Sequence, residues 1–207
     1  MLARHGETEW NLARRMQGHT DTPLSPRGVA QAKRLAARLI TERPARIVSS
    51  DLRRARDTAE IVGAAVGLPV EPDARFREQS LGAWQGMTIE EAAVRDPDLA
   101  ARFQRRDADL RPPGGETRAE LQERVWAALV EHAAPGAASP LLIVAHGGVI
   151  QSIVYRVLGL AIPTPRRFLL PNVGLTTLVC RSGTWFVKTL NDTAHEPERP
   201  DDSFPFA

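Results

Sequence analysis

The sequence is poor in cysteine and has no long apolar run. Cys180 is the one cysteine among 207 residues, so the chain cannot form an intramolecular disulfide. No apolar stretch approaches the ~20 residues that a membrane span requires. The first residues also lack the basic and then apolar pattern of a signal peptide. These absences argue against a secreted or membrane protein and favour the cytoplasm.

The chain also lacks a large excess of charge of either sign. Lysine and arginine number 27 against 25 acidic residues, a net charge of +2. The basic residues are scattered, with neither the clustered stripe nor the interleaved aromatics that nucleic-acid binding uses. We therefore expect no nucleic-acid partner. Arginine supplies almost all the positive charge, since Lys33 and Lys188 are the only lysines, and genome base composition explains most of these arginines.

The composition is that of a globular protein with one core. Apolar residues make up 43% of the chain and charged residues 25%, both typical values. A chain of this length buries a substantial core without a second domain. We expect one domain over residues 1–207.

Short apolar runs alternate with amphipathic helical patterns along most of the chain. A helix is predicted from Ser25 and Pro26, a capping hydroxyl followed by proline, to Pro44. Its apolar residues are Val29, Ala32, Leu35, Ala36, Leu39 and Ile40. A short strand at residues 47–50 and a helix from Asp51 to Gly67 follow.

The second half of the chain repeats this alternation. Thr117 and Glu120 match a capping box and open a helix that reaches about Ala133. A buried strand is predicted at residues 141–145, then an amphipathic helix after His146 whose apolar positions run to Leu158. Residues 175–180 and 185–190 form a plausible hairpin. The tail from Glu196 is rich in Pro and Asp and is predicted to be loose.

Residues 72–116 interrupt the alternation of strands and helices. Glycines and prolines punctuate this stretch, and Thr88 with Glu91 matches a capping box. One or two helices are therefore expected in an insertion above the site. We call this insertion the lid and place it at about residues 79–116.

Two histidine–glycine pairs stand out because each follows an apolar run short enough to be a buried strand. These are His5-Gly6, preceded by Arg4, and His146-Gly147. Open α/β sheets bind ligands at the carboxyl ends of their strands, where both pairs would lie. Two imidazoles and a guanidinium in one pocket are suited to phosphate. Taken alone, Arg4-His5-Gly6 is a common tripeptide without functional meaning, and His146 is better explained as a core histidine; the pair together favours a site.

Three further residues are candidates with weaker local signals. Arg53 and Arg54 open a helix just after a strand, so one can reach the same sheet edge while the other faces solvent. A solvated basic turn is the simpler interpretation of such a pair. Nothing local marks Glu78, because most glutamates are surface residues.

In their order along the chain, these residues resemble the successive motifs of the histidine phosphatase superfamily, in its phosphoglycerate-mutase-like branch. The resemblance runs from the amino terminus to about residue 195. Its motifs are residues 4–11, Gln17-Gly18 with Asp21, Leu24, Ser25 and Gly28, residues 50–55 with Thr58-Ala59, Glu78 with Leu81-Gly82 and residues 84–86, residues 114–116, and residues 145–147.

The resemblance implies a fold and a set of roles. The fold is a three-layer α/β/α sandwich with a mixed, mostly parallel central sheet. The implied catalytic residues are a nucleophile that becomes phosphohistidine, a phosphate clamp and a proton donor: His5 for the first, Arg4, Arg54 and His146 for the second, and Glu78 for the third. The implied substrate-binding residues are Arg4, Asn11, Gln17, Gly18, Arg54 and Gly147. No metal or other cofactor is expected.

The resemblance favours hydrolysis of a small phosphorylated metabolite, as in the broad-specificity phosphatase subgroup. Mutases of the superfamily need a longer basic insertion, so phosphoglycerate-mutase-type transfer is the first alternative, and a non-catalytic phospholigand-binding protein is the second. Arg102, Arg105 and Arg106 form either an anion-binding set or, as we favour, a solvated helix face. The sequence leaves open a homodimer and the identity of the substrate.

Overall fold

The computed structural model describes residues 1–134 and 136–197, which form six strands and seven α-helices. The strands are β1 (Leu2–Arg4), β2 (Arg46–Ser49), β3 (Val70–Pro72), β4 (Leu141–Ala145), β5 (Leu175–Arg181) and β6 (Thr184–Asp192). The helices are α1 (Glu9–Leu12), α2 (Pro26–Glu42), α3 (Arg53–Val66), α4 (Ile89–Arg95), α5 (Pro97–Gln104), α6 (Arg118–His132) and α7 (Gly147–Val157).

The strands form one mixed sheet in the order β3-β2-β4-β1-β5-β6. β3, β2, β4 and β1 are mutually parallel, whereas β5 and β6 join the sheet antiparallel as a hairpin. The register pairs Arg4 of β1 with Ala145 of β4. His5 and His146 therefore leave the sheet side by side, which confirms the expected meeting of the two pairs. The predicted mixed, mostly parallel sheet is also confirmed.

Helix starts follow the predicted capping chemistry. The Ser25 hydroxyl accepts a hydrogen bond from the Gly28 amide at 3.0 Å, and Pro26 takes the first helical position. Both predicted capping boxes, at Thr88 and at Thr117, are present. α3 ends at Gly67, whose left-handed φ of 74° favours glycine.

Helices cover both faces of the sheet, which gives the three layers. One core cluster packs α2 and α3 against the sheet and includes Leu35, Leu39 and Val62. The other packs α6 and α7 against the opposite face and includes Leu121 and Ile150. Burial on both sides explains why the central strand β4 is continuously apolar.

The lid has a small core of its own. α4, α5 and the flanking loops bury a cluster that includes Trp84, Ile89 and Phe103. The Trp84 and Phe103 rings meet edge to face with centroids 5.5 Å apart. The Trp84 indole N–H donates to Asp96 at 2.8 Å. The lid is therefore a packed substructure rather than a loose loop.

Gly28 brings α2 close to the loop that follows β1. A Cβ added at Gly28 would overlap the carbonyl oxygen of Glu7. The Ser25 amide donates to the same carbonyl at 2.8 Å. This approach places the amino end of α2 directly beside the segment that carries His5.

Three expectations differ from the structure. Ile40 is 54% exposed and Leu158 is 50% exposed, although both were expected on buried faces. Leu158 lies just beyond the last residue of α7, so the apolar stripe has already left the core. The tail is not loose at its start, because Glu196 forms two hydrogen bonds with Arg34 at 2.8 and 2.7 Å. Residues 198–207 of the predicted loose tail lie outside the described residues.

Among the residues that the structure describes, no helix is both long enough and apolar enough to cross a membrane.

Candidate active site

The two histidines meet at the carboxyl ends of β1 and β4. Their ring centroids are 5.2 Å apart and the planes are inclined by 58°. His5 is 3% exposed and His146 is fully buried. Residues 141 positions apart in sequence thus form one buried pair.

His5 is held as a neutral imidazole in one defined tautomer. Its Nδ1 lies 2.6 Å from the Gly6 carbonyl oxygen, and because a carbonyl only accepts, Nδ1 carries the proton. Burial, reinforced by the charges of Arg54 and Arg4, lowers the pKa of His5 well below its ordinary value. The Nε2 lone pair is therefore free to act as a nucleophile.

Two buried arginines stand beside the histidines. The Arg54 guanidinium donates to the Thr20 and Gly18 carbonyls at 2.8 Å each, while its buried Nε has no hydrogen-bond partner among the described residues. Arg4 donates to the Leu170 carbonyl. Burial lowers the pKa of each guanidinium to about 10, so both remain charged at neutral pH. Arg53, in contrast, points outward and pairs with Asp57 at 3.4 Å, as the sequence predicts for one of the two neighbours.

Most of the predicted site residues line one cavity of about 350 Å³. They are Arg4, His5, Asn11, Gln17, Gly18, Arg54, Glu78 and Gly147. His146 is the exception, since it is completely buried and contributes no lining surface. The His146 ring adjoins the cavity because it lies next to the His5 ring, with the two centroids 5.2 Å apart.

Glu78 is fixed by backbone amides at the amino end of α7. The Gly148 amide donates to Oε2 at 3.0 Å and the Gln79 amide to Oε1 at 2.8 Å. A Cβ at Gly148 would collide with the carboxylate, so glycine permits this approach. Part of the helix N-terminus that the sequence assigned to an anion is thus occupied by Glu78.

Two other acidic residues near the site, Glu116 and Glu7, are differently engaged. Glu116 binds the Arg124 guanidinium through both oxygens, and it does not line the cavity. Glu7 lines the cavity and accepts from the Ser25 hydroxyl at 2.9 Å. Glu78 is therefore the better placed of the three to act beside His5.

The His146 ring has one engaged nitrogen and one without a partner. Nε2 lies 2.8 Å from the Ser50 hydroxyl oxygen. Nδ1 is buried and has no hydrogen-bond partner among the described residues. Burial, with the charges of Arg54, His5, Arg4 and Arg124, lowers the pKa of His146 well below its ordinary value.

The structure adds lining residues that the sequence analysis did not select. Asn172 precedes β5 and donates from Nδ2 to the His5 carbonyl at 2.9 Å. Gln151 lies on α7, one helical turn after Gly147. Neither residue stands in a recognisable local motif. Only the return of the chain to the sheet places them here.

Three arginines form a second basic group in the same cavity, which we call the arginine trio: Arg106, Arg118 and Arg166. Arg106 lies over the Tyr155 ring at 5.4 Å and donates to the Ile162 carbonyl. With its amide oxygen turned toward Arg106, Gln151 accepts from both terminal nitrogens. Arg118 lies 4.2 Å over the Phe103 ring and donates to the Phe103 carbonyl.

Two members of the trio, Arg106 and Arg118, are poorly neutralised. Within residues 1–134 and 136–197, no carboxylate lies within ion-pair distance of Arg106 or Arg118. Burial, together with the nearby charge of Arg106, lowers the pKa of Arg118 to about 10. This corrects the prediction for Arg106, which belongs to the cavity. Arg102 pairs with Asp107 and Arg105 is exposed, as a solvated face requires.

No group of three or more His, Cys, Asp or Glu side chains suited to a metal ion occurs in the described part of the chain. The positive charge of the cavity comes from its arginines.

Comparison with known proteins identifies this combination of sheet edge, buried imidazoles and buried guanidinium groups. The model of the histidine phosphatase superfamily (branch 1) matches residues 1–193. The chain belongs to the histidine phosphatase superfamily. The expectations of family, fold and phosphatase-type enzyme are thereby confirmed, whereas the roles of individual residues stay predictions.

Three similar proteins indicate which members of the superfamily the chain resembles. A glucosyl-3-phosphoglycerate phosphatase of Mycolicibacterium vanbaalenii is 42% identical over 169 residues, 78% of this chain and 75% of the relative. A probable phosphoglycerate mutase of Klebsiella pneumoniae is 36% identical over 199 residues, 94% and 93% of the two chains. The structure of a mycobacterial glucosyl-3-phosphoglycerate phosphatase complexed with VO3 superposes with a TM-score of 0.82 at 38% identity, covering 92% of this chain and 96% of the other.

The buried histidines predict how stability depends on pH in this histidine phosphatase. Below the ordinary histidine pKa of 6.5, the unfolded chain takes up protons that His5 and His146 refuse while folded. The contribution of these two groups to the free energy of unfolding is therefore fully present above that pH. It falls as the pH falls below it, by about 1 kcal/mol for each imidazole between about pH 6.5 and 5.5. Urea unfolding at a series of pH values measures this loss.

The double variant His5→Asn/His146→Gln is the comparison that isolates these two groups. The Met1 amino group, His19 and His195 also have lowered pKa values, and they titrate equally in both proteins. The variant should lose less stability over the same interval. An unchanged dependence on pH would contradict the assignment of two neutral buried imidazoles.

Proposed function

We propose that this chain is a phosphomonoesterase that hydrolyses a small phosphorylated metabolite through a phosphohistidine intermediate. The observation that supports it most is His5, a neutral imidazole with a free Nε2 beside two buried guanidinium groups. A neutral nucleophile approaches phosphorus without charge repulsion, and fixed cations stabilise charge on the phosphoryl oxygens.

In the first step, His5 Nε2 attacks phosphorus in line with the ester oxygen. The N–P bond forms as the P–O bond to the alcohol breaks, and the electron pair of that bond moves to the leaving oxygen. Glu78 in its protonated form gives its proton to this oxygen, which avoids release of a bare alkoxide. Arg4, Arg54 and His146 contact the phosphoryl oxygens throughout, aided by Asn11 and the Gly147 amide.

In the second step, water attacks the phosphohistidine. The Glu78 carboxylate accepts the proton that the water loses, and the N–P electron pair returns to His5 Nε2. Inorganic phosphate leaves and Glu78 is again protonated for the next substrate. Gln17 and Gly18 contact the remainder of the substrate, beside the phosphoryl site.

No metal ion is needed in this mechanism. Arg4 and Arg54 bring two buried positive charges to the phosphoryl group, which is the electrostatic contribution that a divalent cation makes in other phosphoryl-transfer sites. We therefore propose metal-independent hydrolysis.

Hydrolysis and mutase activity differ in whether water or a second substrate molecule takes the phosphoryl group from the phosphohistidine. Mutase activity requires that water be kept from it, and the similarity to a probable phosphoglycerate mutase favours that alternative. The short lid and the higher identity to a phosphatase favour hydrolysis. A role in phospholigand binding without catalysis is disfavoured, because His5 and Glu78 are both present and adjoin the same cavity.

The arginine trio supports a substrate with a second anionic group. A phosphomonoester that also carries a carboxylate or a second phosphate would neutralise Arg106 and Arg118 while Arg4 and Arg54 hold the scissile phosphate. The phosphoglycerate esters named for two relatives carry such a carboxylate. We propose this substrate class, and with it a single domain over residues 1–207, a cytoplasmic location and a homodimer as further predictions.

The proposed nucleophile is tested by trapping the intermediate. Acid-labile, base-stable label should appear on the protein after exposure to labelled substrate, and His5→Ala should abolish it. His132→Gln is the matched control, because it alters a buried histidine at the end of α6 that bonds Asp73 and does not line the cavity. EDTA should change neither labelling nor turnover. Turnover by His5→Ala within about tenfold of wild type would show that another group attacks phosphorus.

The proposed proton donor is tested by the leaving group. Glu78→Gln should lose about 10²–10⁴-fold on an alkyl phosphate and distinctly less on p-nitrophenyl phosphate, whose leaving group needs little protonation. Glu7→Gln is the control from the same cavity. Steady-state kcat/KM on both esters gives the answer, and equal losses by Glu78→Gln would assign the acid to another residue.

The proposed second anionic group is tested with a matched pair of esters. 3-Phosphoglycerate and glycerol 3-phosphate share a skeleton and differ by a carboxylate in place of a hydroxymethyl group. The kcat/KM for 3-phosphoglycerate divided by that for glycerol 3-phosphate should fall by about 10–100-fold in Arg106→Gln or Arg118→Gln, since a charged hydrogen bond to the carboxylate is lost. Arg105→Gln should keep the wild-type ratio. A ratio that does not change in the first two variants would refute this substrate class.

A further inference from the structure

The orphaned nitrogen of His146 calls for a partner that is absent from the described chain. Nδ1 is buried without a hydrogen bond, as is Nε of the neighbouring Arg54. Buried polar atoms are nearly always paired in folded proteins, so an orphan points to a ligand. Two such atoms beside His5 are explained by an anion that binds among them.

Ser50 is the hydrogen-bond partner of the other ring nitrogen of His146, Nε2. Ser50 follows β2 and is fully buried, and its backbone amide donates to the Val144 carbonyl at 3.0 Å. Its hydroxyl oxygen accepts from the Leu52 amide at 3.3 Å and lies 2.8 Å from His146 Nε2. The serine is thus anchored on both sides, with its hydroxyl between the backbone and the ring.

The position of the ring proton follows from this arrangement. The Ser50 oxygen accepts the Leu52 amide, and among the described residues His146 Nε2 is the one acceptor within reach of the Ser50 hydroxyl hydrogen, so pairing that buried hydrogen requires Nε2 to accept it. A neutral imidazole has one N–H and one acceptor nitrogen. When Nε2 accepts from the serine, the proton resides on Nδ1.

We propose that Ser50 is a positioning residue that holds His146 in the Nδ1–H tautomer, so that the orphaned Nδ1 donates to an oxygen of the transferring phosphoryl group. The proposal rests on the proposed function only for the identity of that acceptor. The tautomer itself is a property of the free enzyme.

The surroundings of His146 make the tautomer consequential. Burial, and after it the charges of Arg54, His5, Arg4 and Arg124, lowers the pKa of His146 and so disfavours a second proton on this ring. His146 therefore has a single N–H to offer. The opposite tautomer would present a lone pair to the phosphoryl oxygens and repel them.

The tautomer is measured directly by nitrogen NMR of uniformly ¹⁵N-labelled protein, through the two- and three-bond couplings of the imidazole ring. In wild type, His146 should show the Nδ1–H pattern. In Ser50→Ala this pattern should convert partly or wholly to Nε2–H, while the His5 pattern stays unchanged because the Gly6 carbonyl fixes it. An Nε2–H pattern in wild type, or an unchanged pattern in Ser50→Ala, overturns the proposal.

Kinetics separate positioning from packing. Ser50→Ala should lose roughly 10–100-fold in kcat, as expected when one donor to the developing charge is misplaced. Ser50→Thr, which keeps the hydroxyl, should recover most of it. Ser49→Ala is the matched control, since it removes an adjacent, fully buried hydroxyl that bonds the Ser50 carbonyl and not the imidazole.

A loss in Ser49→Ala equal to that in Ser50→Ala would assign the effect to strand packing and overturn the proposal. A failure of Ser50→Thr to exceed Ser50→Ala would do the same, once thermal unfolding shows both variants folded. Absence of turnover by the wild-type protein on every phosphate ester contradicts the proposed function, whereas the NMR experiment still decides the role of Ser50.

Discussion

Buried positive charge at the carboxyl edge of the sheet is the constraint on which the rest of the site depends. Arg4 and Arg54 are almost completely inaccessible, yet remain ionised at neutral pH. Their charges help to keep both imidazoles neutral, and the Glu78 carboxylate opposes the loss of their protons. Such a concentration of desolvated cations is costly without an anion, so the site is complementary to negative charge.

The fold supplies this arrangement through strand register. β1 and β4 are adjacent and parallel, and the pairing of Arg4 with Ala145 brings the residue after each strand to the same level. β2 lies on the other side of β4 and ends at Ser49, which delivers Ser50 and then Arg54 on α3. Three strand ends thus build a site that no single segment contains, as in other open α/β sheets.

The lid and the start of α6 add further positive charge to the cavity, through Arg106 and Arg118. The lid core around Trp84 and Phe103 gives Arg106 and Arg118 a rigid base, and aromatic faces support both guanidinium groups. Arg106 has a left-handed backbone with φ of 62°, a conformation that more often belongs to glycine. An arginine at this strained position is consistent with a requirement for its side chain.

Local patterns in the sequence determined much of the scaffold, because caps and apolar periodicity act over a few residues. The helix starts at Ser25, Thr88 and Thr117 required no tertiary information. His5, Arg54 and Glu78 were selected from the ordered motifs of a family, since their own neighbourhoods are ambiguous. The local pattern indicated only that one of Arg53 and Arg54 would turn inward, and the family motifs were needed to select Arg54.

Only the tertiary structure decided the contacts between distant segments. Asn172 on the His5 carbonyl, Ser50 on His146 and Gly148 on Glu78 each join residues separated by 70 or more positions. No periodicity records such pairs, because they arise when the sheet closes. Arg105 and Arg106 illustrate the same reason. They are adjacent and chemically identical, yet Arg105 is exposed and Arg106 lines the cavity, because the backbone turn after α5 directs only Arg106 inward.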